Sequence, residues 1–373
     1  MDSTLRVALV HDQIEQDGGA ERVLWTFHNM FPTAPIFTAM WNRTRMQRFE
    51  SCDIRTSWLQ RLPGIQRVPR AYAALYPAAF VGLDLSEFDL VISSSTSFAK
   101  GIRTGKSTAH IGYCYSPANF LWRPEAYFTR PVSRGLTLPL RLWLKAWDRW
   151  AARQPDAVIA ISESVADRVR RFYRREPAIL HPPVDPSWFV GHKSDEFYLT
   201  VSRLVEPKRI DLAVDAAGQL GVPLWIVGEG RAAAGLKERA RENVRFLGHV
   251  DDADLRDLYA RAIAVVMPGE EDFGIVPVEA QAAGTPVVAY DAGGAKETVI
   301  EGVTGLRFRP QTVEALANAM SSVRRPWDRA RIRANAARFA EPNFRNRLIA
   351  IIDRYRVPVP TAAMPEAPET SAV

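Results

Sequence analysis

Two carboxylates stand eight positions apart in the stretch EEDFGIVPVEAQAAGTPVVAY, at residues 270–290. Glu271 precedes a Phe-Gly pair, and Glu279 lies inside a predicted helix that starts near Ile275 and stops before Gly284. Carboxylates accept hydrogen bonds from hydroxyl groups, so the two glutamates can hold hydroxyl pairs from two parts of one ligand. The alternative is that both are solvated, which is the usual place for a glutamate.

The start of this predicted helix offers a second kind of recognition. The amides of Phe273, Gly274 and Ile275 have no partner within the helix and lie just beyond the preceding strand. Such a helix start is a ready anion site. Acidic side chains beside an anion site suit a ligand that carries both phosphate and sugar hydroxyls, so the stretch predicts a sugar-phosphate site.

Two cations follow another predicted strand, in the stretch SRLVEPKR, as Arg203 and Lys208. Together they can neutralise the charge that develops on a departing diphosphate. Near the N-terminus, Gly18 and Gly19 precede a predicted helix and let the backbone approach a phosphate or a sugar. Taken alone, the two cations are also typical of a solvated strand end, and the two glycines are also typical of an ordinary turn.

The combination resembles the signature of family-4 retaining glycosyltransferases of the GT-B fold. Their pattern is E-x7-E with Phe-Gly after the first Glu and the continuation E-A-x-A-x-G-x-P-V-V, which this chain keeps from Glu271 to Val288. The resemblance implies that Glu271 contacts and orients the donor sugar, and that Glu279 binds the ribose hydroxyls of the nucleotide. It also implies that Arg203 and Lys208 carry the diphosphate charge.

Two further stretches match the nucleotide-base region of that family. VGEGR contributes Gly228 and Glu229, and FLGHV contributes Val250. A Gly-x-Gly after a strand also suggests a dinucleotide site. However, Gly230 is not followed by glycine three residues later, and no acidic residue follows at the required distance, so the dehydrogenase alternative is set aside.

The chain departs from the family pattern at two positions. Ser202 replaces the usual glycine, and Tyr115 stands where relatives often place a histidine near the reacting carbon. Tyrosine can bind a sugar hydroxyl but does not hold a proton near neutral pH as imidazole does. His110 lies five residues earlier, and we interpret it as a packed histidine.

The stretches VALVHDQIEQDGGAERV, FPTAPIFT and GIVPVEAQAAG resemble a subgroup that contains O-antigen-type mannosyltransferases. The resemblance implies a nucleotide-sugar donor, with GDP-mannose favoured, and a lipid-linked glycan acceptor. A UDP-sugar donor and a non-catalytic sugar-nucleotide-binding homologue are the alternatives. A pyridoxal-phosphate phosphorylase of the same architecture is disfavoured, because no lysine lies in a suitable context.

Neither a metal nor a cofactor is expected. The D-x-D within DDAD, at residues 251–254, precedes an amphipathic helix pattern. We interpret these acids as the N-cap and first turn of that helix. In the family, helix ends and cations take the place of a metal ion.

Short apolar runs alternate with helical patterns in both halves, which predicts an α/β fold with two Rossmann-like doubly wound parallel sheets facing a central cleft. Predicted strands in the first half are Leu5 to Asp12, Phe88 to Ser95, Ala109 to Cys114 and Asp156 to Ser162. The predicted domains are an N-terminal acceptor-binding domain at 1–190, a C-terminal nucleotide-sugar domain at 191–340, a helix at 341–356 that crosses back, and a disordered tail at 357–373.

Composition limits the class of protein. The 373 residues are 47% apolar and 24% charged, which is typical of a globular chain of two domains. The net charge of +6 admits an anionic ligand or surface, but the scattered arginines disfavour nucleic acid. With no membrane-spanning run, an opening strand too short for a signal peptide and only Cys52 and Cys114, we expect a cytoplasmic protein.

The stretch RGLTLPLRLWLKAWDRWAARQ, at residues 134–154, places Trp143, Trp147 and Trp150 on one helical face. One interpretation is an interfacial helix on anionic lipid, which would make the protein peripheral at the cytoplasmic face of a membrane. The other is that the tryptophans pack within the first domain. Amphipathicity alone does not separate the two, and we prefer packing.

Overall fold

The computed structural model describes residues 5–16, 18–124, 138–185, 188 and 197–355. The chain divides into two compact units, each built from separated segments. The first contains Met1–Ile161, Val165–Leu180 and Arg345–Val373, and the second contains Ser162–Ser164 and His181–Phe344. The predicted polar link at 191–196 and the predicted tail at 357–373 lie outside the described residues.

A sheet of seven parallel strands forms the centre of the first unit, in the order β3-β2-β1-β4-β5-β6-β7. Its central strands are buried along their whole length, as expected for apolar strands covered on both faces. The strands are β1 Val7–His11, β2 Ile36–Thr38, β3 Ile54–Thr56, β4 Leu90–Ser95, β5 Ala109–Cys114, β6 Ala157–Ala160 and β7 Ala178–Ile179.

Helices of the first unit pack on this sheet through large apolar side chains. Phe27 of the first helix meets Tyr113 of β5 edge to face, with ring centroids 5.4 Å apart. The helices are α1 Gly19–Met30, α2 Tyr76–Val81, α3 Asn119–Trp122, α4 Leu138–Ala151 and α5 Glu163–Tyr173, with 3-10 turns at Gln47–Phe49, Trp58–Arg61, Pro69–Tyr72 and Ala99–Gly101. Helix α5 belongs to the first unit from Val165 onward.

A second sheet, of six parallel strands, forms the centre of the second unit in the order β10-β9-β8-β11-β12-β13. Tyr198 of its central strand β8 is fully buried, and its hydroxyl donates to the carbonyl oxygen of Met320 at 2.5 Å. The strands are β8 Tyr198–Val201, β9 Leu224–Val227, β10 Val244–Gly248, β11 Ala264–Met267, β12 Val287–Tyr290 and β13 Gly305–Phe308.

The remaining helices follow the strands of the second sheet in alternation. They are α6 Ile210–Leu220, α7 Ala233–Arg239, α8 Asp252–Arg261, α9 Ile275–Ala282, α10 Ala295–Thr298, α11 Val313–Ser322, α12 Arg329–Ala337 and α13 Glu341–Asp353, with a 3-10 turn at Glu206–Lys208. The last helix begins in the second unit, and its residues from Arg345 onward belong to the first.

The predicted pair of doubly wound parallel sheets is confirmed. Three short strands, β2, β3 and β7, were not predicted, because two or three residues carry no periodicity that distinguishes them from loop. Among the helices of the described residues, none has the length and apolarity needed to cross a bilayer.

Candidate functional site

The loop after β11 carries Glu271 and is fixed by its backbone. Glu271 forms a parallel bridge with Gly293 in the loop after β12, and its carbonyl oxygen accepts the N–H of Gly294 at 2.9 Å. Gly293 has φ +56°, and a Cβ there would lie 2.1 Å from that carbonyl oxygen. Only glycine fits this approach, so the position of Glu271 is set by its neighbour loop.

Glu271 and Lys208 form an ion pair. The ammonium of Lys208 contacts Oε2 of Glu271, and each side chain is about 20% exposed. Lys208 ends the 3-10 turn that follows β8, and its backbone lies against Gly269, where a Cβ would come within 2.7 Å of the Lys208 carbonyl oxygen. The sequence therefore predicted two separate roles for side chains that are direct partners.

Arg203 lies in the same segment as Lys208 and is exposed. Its carbonyl oxygen accepts hydrogen bonds from the Ser202 hydroxyl at 3.2 Å and from the Val205 amide at 2.9 Å. Within the described part of the chain its guanidinium makes no ion pair. The backbone is thus held, while the charge remains available to an anion.

The helix that follows Glu271 begins as the sequence predicts. Gly274 is the N-cap of α9, with φ +86° and ψ 86°, and it offers no side-chain cap. The Pro277 ring lies 3.3 Å from the position that a Gly274 Cβ would take. The first amides of α9, from Ile275 onward, therefore have no cap from the N-cap side chain, as an anion-binding helix start requires.

Phe273 anchors this helix start. It is buried, and its ring lies 5.3 Å from the His181 ring and 5.5 Å from the Phe339 ring. Gly294 passes so close that a Cβ there would lie 2.1 Å from the Phe273 carbonyl oxygen. The predicted site residue Phe273 is thus a packing residue that sets the entry of α9.

Glu279 is buried rather than solvated. It is 3% exposed, and the hydroxyl of Tyr259 donates to its Oε2 at 3.0 Å. Tyr259 is itself fully buried, with its ring 5.8 Å from that of Trp188. A buried carboxylate is costly unless it is hydrogen-bonded, so this pair holds Glu279 in place on α9. The ribose role that the resemblance implies for Glu279 stays a prediction.

The Gly-Glu-Gly turn after β9 packs against the segment that carries Arg203. Gly228 has φ +123°, and Gly230 has φ +158°. Their Cβ positions would lie 2.0 Å from the Ser202 carbonyl oxygen and 2.2 Å from that of Leu204. The close backbone contact requires glycine at both positions. The conformation of this turn therefore explains both glycines without a nucleotide.

Glu229 and Val250 lie at neighbouring strand ends. Glu229 is exposed, and its carbonyl oxygen accepts the Leu204 amide at 2.8 Å. Val250 is half-buried and follows Gly248, whose carbonyl oxygen accepts the Gly228 amide at 2.7 Å. Because parallel strands place their carboxyl ends at one edge, the second unit brings these loops to the same edge as Glu271.

Ser162 and Glu297 are residues of this region that the sequence did not reveal. The Ser162 hydroxyl donates to the carbonyl oxygen of Asp272 at 2.5 Å, beside Glu271. The Glu297 carboxylate accepts the Glu163 amide at 2.9 Å and the Nε2–H of His181 at 2.9 Å. Ser162 is 110 positions from Asp272, so no local pattern could have shown the contact.

The predicted glycine turn in the first unit precedes α1. Gly18 is the N-cap and Gly19 the first residue of that helix. The φ of Gly18 is −116°, which any residue adopts, but a Cβ there would lie 2.8 Å from Oε2 of Glu21. Glycine is thus favoured at Gly18 by the space that the Glu21 side chain takes.

Tyr115 is buried in a hydrogen-bond network. Its hydroxyl donates to the Ala20 carbonyl oxygen at 2.9 Å, and it lies 2.8 Å from Oγ of Ser94. Since its one hydrogen is given to Ala20, Ser94 donates to Tyr115 and accepts from Nδ1–H of His11 at 3.1 Å. Tyr115 therefore ties β4 to the turn at Gly19, and its sugar contact stays a prediction.

Burial sets the protonation state of this network. It raises the pKa of Tyr115 well above its usual value and lowers the pKa of His11 to about 4. His11 is thus neutral at physiological pH. No role for His11 was predicted, because its pairing with Ser94 spans 83 positions.

Two structural interpretations are confirmed, those of His110 as a packed histidine and of Asp251 as a helix N-cap. His110 is fully buried, with Nε2 2.8 Å from Oγ of Ser93, and burial lowers its pKa to about 3. Asp251 is the N-cap of α8, and its carboxylate accepts the Asp254 amide at 2.8 Å. Neither residue needs a ligand to explain its place.

Two family profiles match adjoining parts of the chain. The profile described as "Glycosyltransferase Family 4" matches residues 17–188, and "Glycosyl transferases group 1" matches residues 188–339. The match thus runs through both units, including the Gly18–Gly19 turn and the loop of Glu271.

Two relatives are about one-third identical to this chain within the part that aligns. Glycogen synthase of Mycobacterium tuberculosis is 35% identical over 212 residues, which are 52% of this chain and 51% of the relative. D-inositol 3-phosphate glycosyltransferase of Mycobacterium bovis is 31% identical over 234 residues, which are 54% of this chain and 49% of the relative. The chain therefore spans about half the length of these relatives.

Solved structures share the fold over nearly the whole chain. Alr3699/HepE of Anabaena, in complex with UDP, superposes with a TM-score of 0.70 at 19% identity, over 94% of this chain and 100% of that one. Sucrose-phosphate synthase of Thermosynechococcus elongatus superposes with a TM-score of 0.70 at 18% identity, over 94% and 99%.

Proposed function

We propose that the chain is a family-4 glycosyltransferase of the GT-B fold that transfers a hexose, with retention, from a nucleoside-diphosphate sugar to a glycan hydroxyl, because glycosyltransferase profiles match its two adjoining parts. The nucleotide sugar would bind the second unit, and the acceptor the first. The observation that carries the proposal is the contact of Lys208 with Glu271 beside the start of α9.

That contact supplies the two kinds of recognition that a sugar diphosphate needs. Lys208 and the α9 amides offer positive charge for the diphosphate, and Glu271 offers hydrogen-bond acceptors for the sugar. Arg203 lies in the same segment and adds a second cation. A diphosphate would draw Lys208 from its carboxylate partner, since it carries more negative charge.

In the proposed reaction, the bond between the anomeric carbon and the leaving phosphate oxygen breaks. The acceptor oxygen forms the new bond on the same face of the sugar, and its proton passes to the leaving phosphate oxygen. Arg203, Lys208 and the amides near Gly274 stabilise the charge of the diphosphate. Glu271 orients the sugar, and no metal or other cofactor is required in this scheme.

For the donor we propose GDP-mannose, on the resemblance of the Gly18 and Glu271 stretches to mannosyltransferases. For the acceptor we propose a lipid-linked glycan or polysaccharide precursor at the cytoplasmic face of a membrane. A UDP-sugar is the second candidate donor, because the Anabaena protein of the same fold is described in complexes with UDP and UDP-glucose.

Thermal-shift titration with GDP, UDP and ADP and their hexose conjugates tests the donor. A ligand that binds only the folded state raises the unfolding temperature, and the rise grows with the logarithm of the ligand concentration above its Kd. The expected result is a rise with one nucleotide family that is reduced but still present in the Lys208→Ala variant and unchanged in Lys237→Ala, a lysine on α7. No rise with any nucleotide would overturn the proposal.

A further inference from the structure

Helix α4 presents a run of apolar side chains to solvent. Leu138, Leu140, Leu142 and Trp143 are 47%, 39%, 58% and 49% exposed. We call these four residues the α4 strip. They make up four of the ten exposed large apolar side chains among the described residues, yet they lie within six positions of one another. Such clustering marks an interaction surface rather than ordinary surface scatter.

We propose that the α4 strip docks the protein on an anionic lipid surface. This inference rests on the proposed function, because a lipid-linked acceptor lies at a membrane. It names the part of the protein that would make the contact. An interfacial helix needs a fixed inner side, an apolar outer side and flanking cations, and each is visible on α4.

The inner side of α4 is fixed by packing and by a buried ion pair. Leu144 is 1% exposed, and Asp148 lies 2.6 Å from the ammonium of Lys100. The other carboxylate oxygen of Asp148 accepts the Trp122 indole N–H at 2.7 Å and the Tyr173 hydroxyl at 2.8 Å. The helix is therefore held in one rotation, with Leu142 and Trp143 turned away from this network and Leu140 one turn before the buried Leu144 on the inner side.

The three tryptophans lie on one side of the helix, as their spacing predicts, but they differ in exposure. Trp147 packs inward: a Cβ on Gly101 would lie 2.4 Å from its ring, and the Phe98 ring is 5.6 Å away. Trp150 is half-buried, with the Arg103 guanidinium 5.8 Å from its ring. Of the three, only Trp143 is exposed, so packing and surface contact are divided between them.

The charges on α4 favour a negative partner. Arg141, Lys145 and Arg149 repeat every four residues along the helix, so they lie on one side of it. The Lys145 ammonium and the Arg149 guanidinium lie 5.1 Å and 4.8 Å from the Trp122 ring centroid. The one acid of the helix, Asp148, is buried against Lys100. Arg149 is exposed beside the α4 strip, and its positive charge complements anionic headgroups.

The same charges argue against a second copy of this chain as the occupant. A two-fold contact places the same surface on both partners. If the two-fold axis passes near the cationic row, the rows of the two copies lie close together, and like charges brought together at an interface are unfavourable. A bilayer meets the apolar and the cationic parts of the helix together.

Vesicle flotation of the full chain tests the proposal. The probes are vesicles of phosphatidylcholine alone and of phosphatidylcholine with phosphatidylglycerol. We expect binding that rises with phosphatidylglycerol and falls with salt, and a loss of about tenfold or more in the Leu142→Ser, Trp143→Ser double variant. The Trp58→Ser variant is the matched control, since Trp58 is 44% exposed elsewhere on the first unit.

A second variant, Arg149→Gln, tests the contribution of positive charge. Its vesicle binding should rise less with phosphatidylglycerol than that of the wild type. Unchanged unfolding temperatures would show that the variants fold. Wild-type protein that ignores phosphatidylglycerol, or a double variant that binds as well as wild type, would overturn the proposal. So would concentration-dependent dimers, in ultracentrifugation, that the double variant abolishes. Nucleotide binding without vesicle binding would contradict docking alone, and vesicle binding without nucleotide binding would contradict the proposed function alone.

Discussion

At the scale of single residues, three of the charged side chains at the site already have partners in the folded chain. Lys208 contacts Glu271, and Glu279 accepts from Tyr259. A ligand that binds here must replace or join these contacts. The effect of a substitution therefore depends on which partner the changed side chain leaves behind.

Replacing Lys208 with alanine should lower kcat on the order of 100-fold, with a smaller change in KM. The ammonium matters most as the diphosphate departs, when negative charge on the leaving group is greatest. Steady-state kinetics with the donor identified by thermal shift provides the measurement. The Lys237→Ala variant should behave as wild type, and a Lys208→Ala effect confined to KM would contradict the assignment.

The Glu279→Gln variant should weaken nucleotide binding by about fivefold, roughly 1 kcal/mol. Its amide oxygen can still accept the Tyr259 hydroxyl, so the unfolding temperature should move little. Isothermal titration measures the affinity. The Tyr259→Phe variant is the counterpart, because it removes the hydrogen bond and keeps the carboxylate: stability should fall while affinity stays near wild type. An unchanged Kd in Glu279→Gln would exclude the ribose role.

At the scale of elements, loops are held by backbone contacts that only glycine permits. Gly228 and Gly230 bring the turn after β9 against Ser202 and Leu204, on either side of Arg203. The position of that cation is thus set by a neighbouring turn rather than by its own side-chain contacts.

The Gly228→Ala variant should destabilise the protein by about 2 kcal/mol or more, because the φ of +123° and the Ser202 carbonyl oxygen both oppose a Cβ. Urea denaturation measures the change. The control is Gly235→Ala in α7, where a Cβ meets nothing within 4 Å; it should stabilise the helix by about 0.5–1 kcal/mol. Equal effects at the two positions would contradict this account.

Elements with long apolar runs could be predicted from sequence, and elements fixed by distant contacts could not. The run at β5 predicts a strand from Ala109 to Cys114, with the bounds that the structure shows. The start of α9 follows from Gly274 and Pro277. The hydrogen bond from Ser162 to Asp272 and the hydrogen-bond network of Tyr115 could not be predicted from local sequence patterns. Ser162 and Asp272 are 110 positions apart, and His11 and Ser94 in the Tyr115 network are 83 positions apart.

At the scale of the whole molecule, two buried histidines link stability to pH. Burial lowers the pKa of His11 to about 4 and of His110 to about 3, while the unfolded chain keeps the usual value near 6.5. As pH falls below about 6.5, the unfolded state gains protons that the folded state does not bind. Stability is therefore full above this pH and falls below it, until the folded-state pKa is reached.

The expected loss between pH 7 and pH 5 is about 2 kcal/mol for each of these histidines. Urea denaturation at the two pH values measures it. In the His110→Gln variant, whose amide can still reach Ser93, the loss should be smaller by about that amount. The same loss in variant and wild type would show that His110 does not contribute.

The three-residue segment Ser162–Ser164 belongs to the second unit, although the chain on both sides of it belongs to the first. A gene divided after Leu180 would therefore separate the Ser162 hydroxyl from the Asp272 carbonyl oxygen and the Glu163 amide from Glu297. Neither half would carry its full set of contacts, and the first half would also lack the end of α13. If the two units were expressed independently, each would thus lack some of its own contacts. Co-expression of the two fragments, which allows them to associate, is therefore the better way to obtain both units folded.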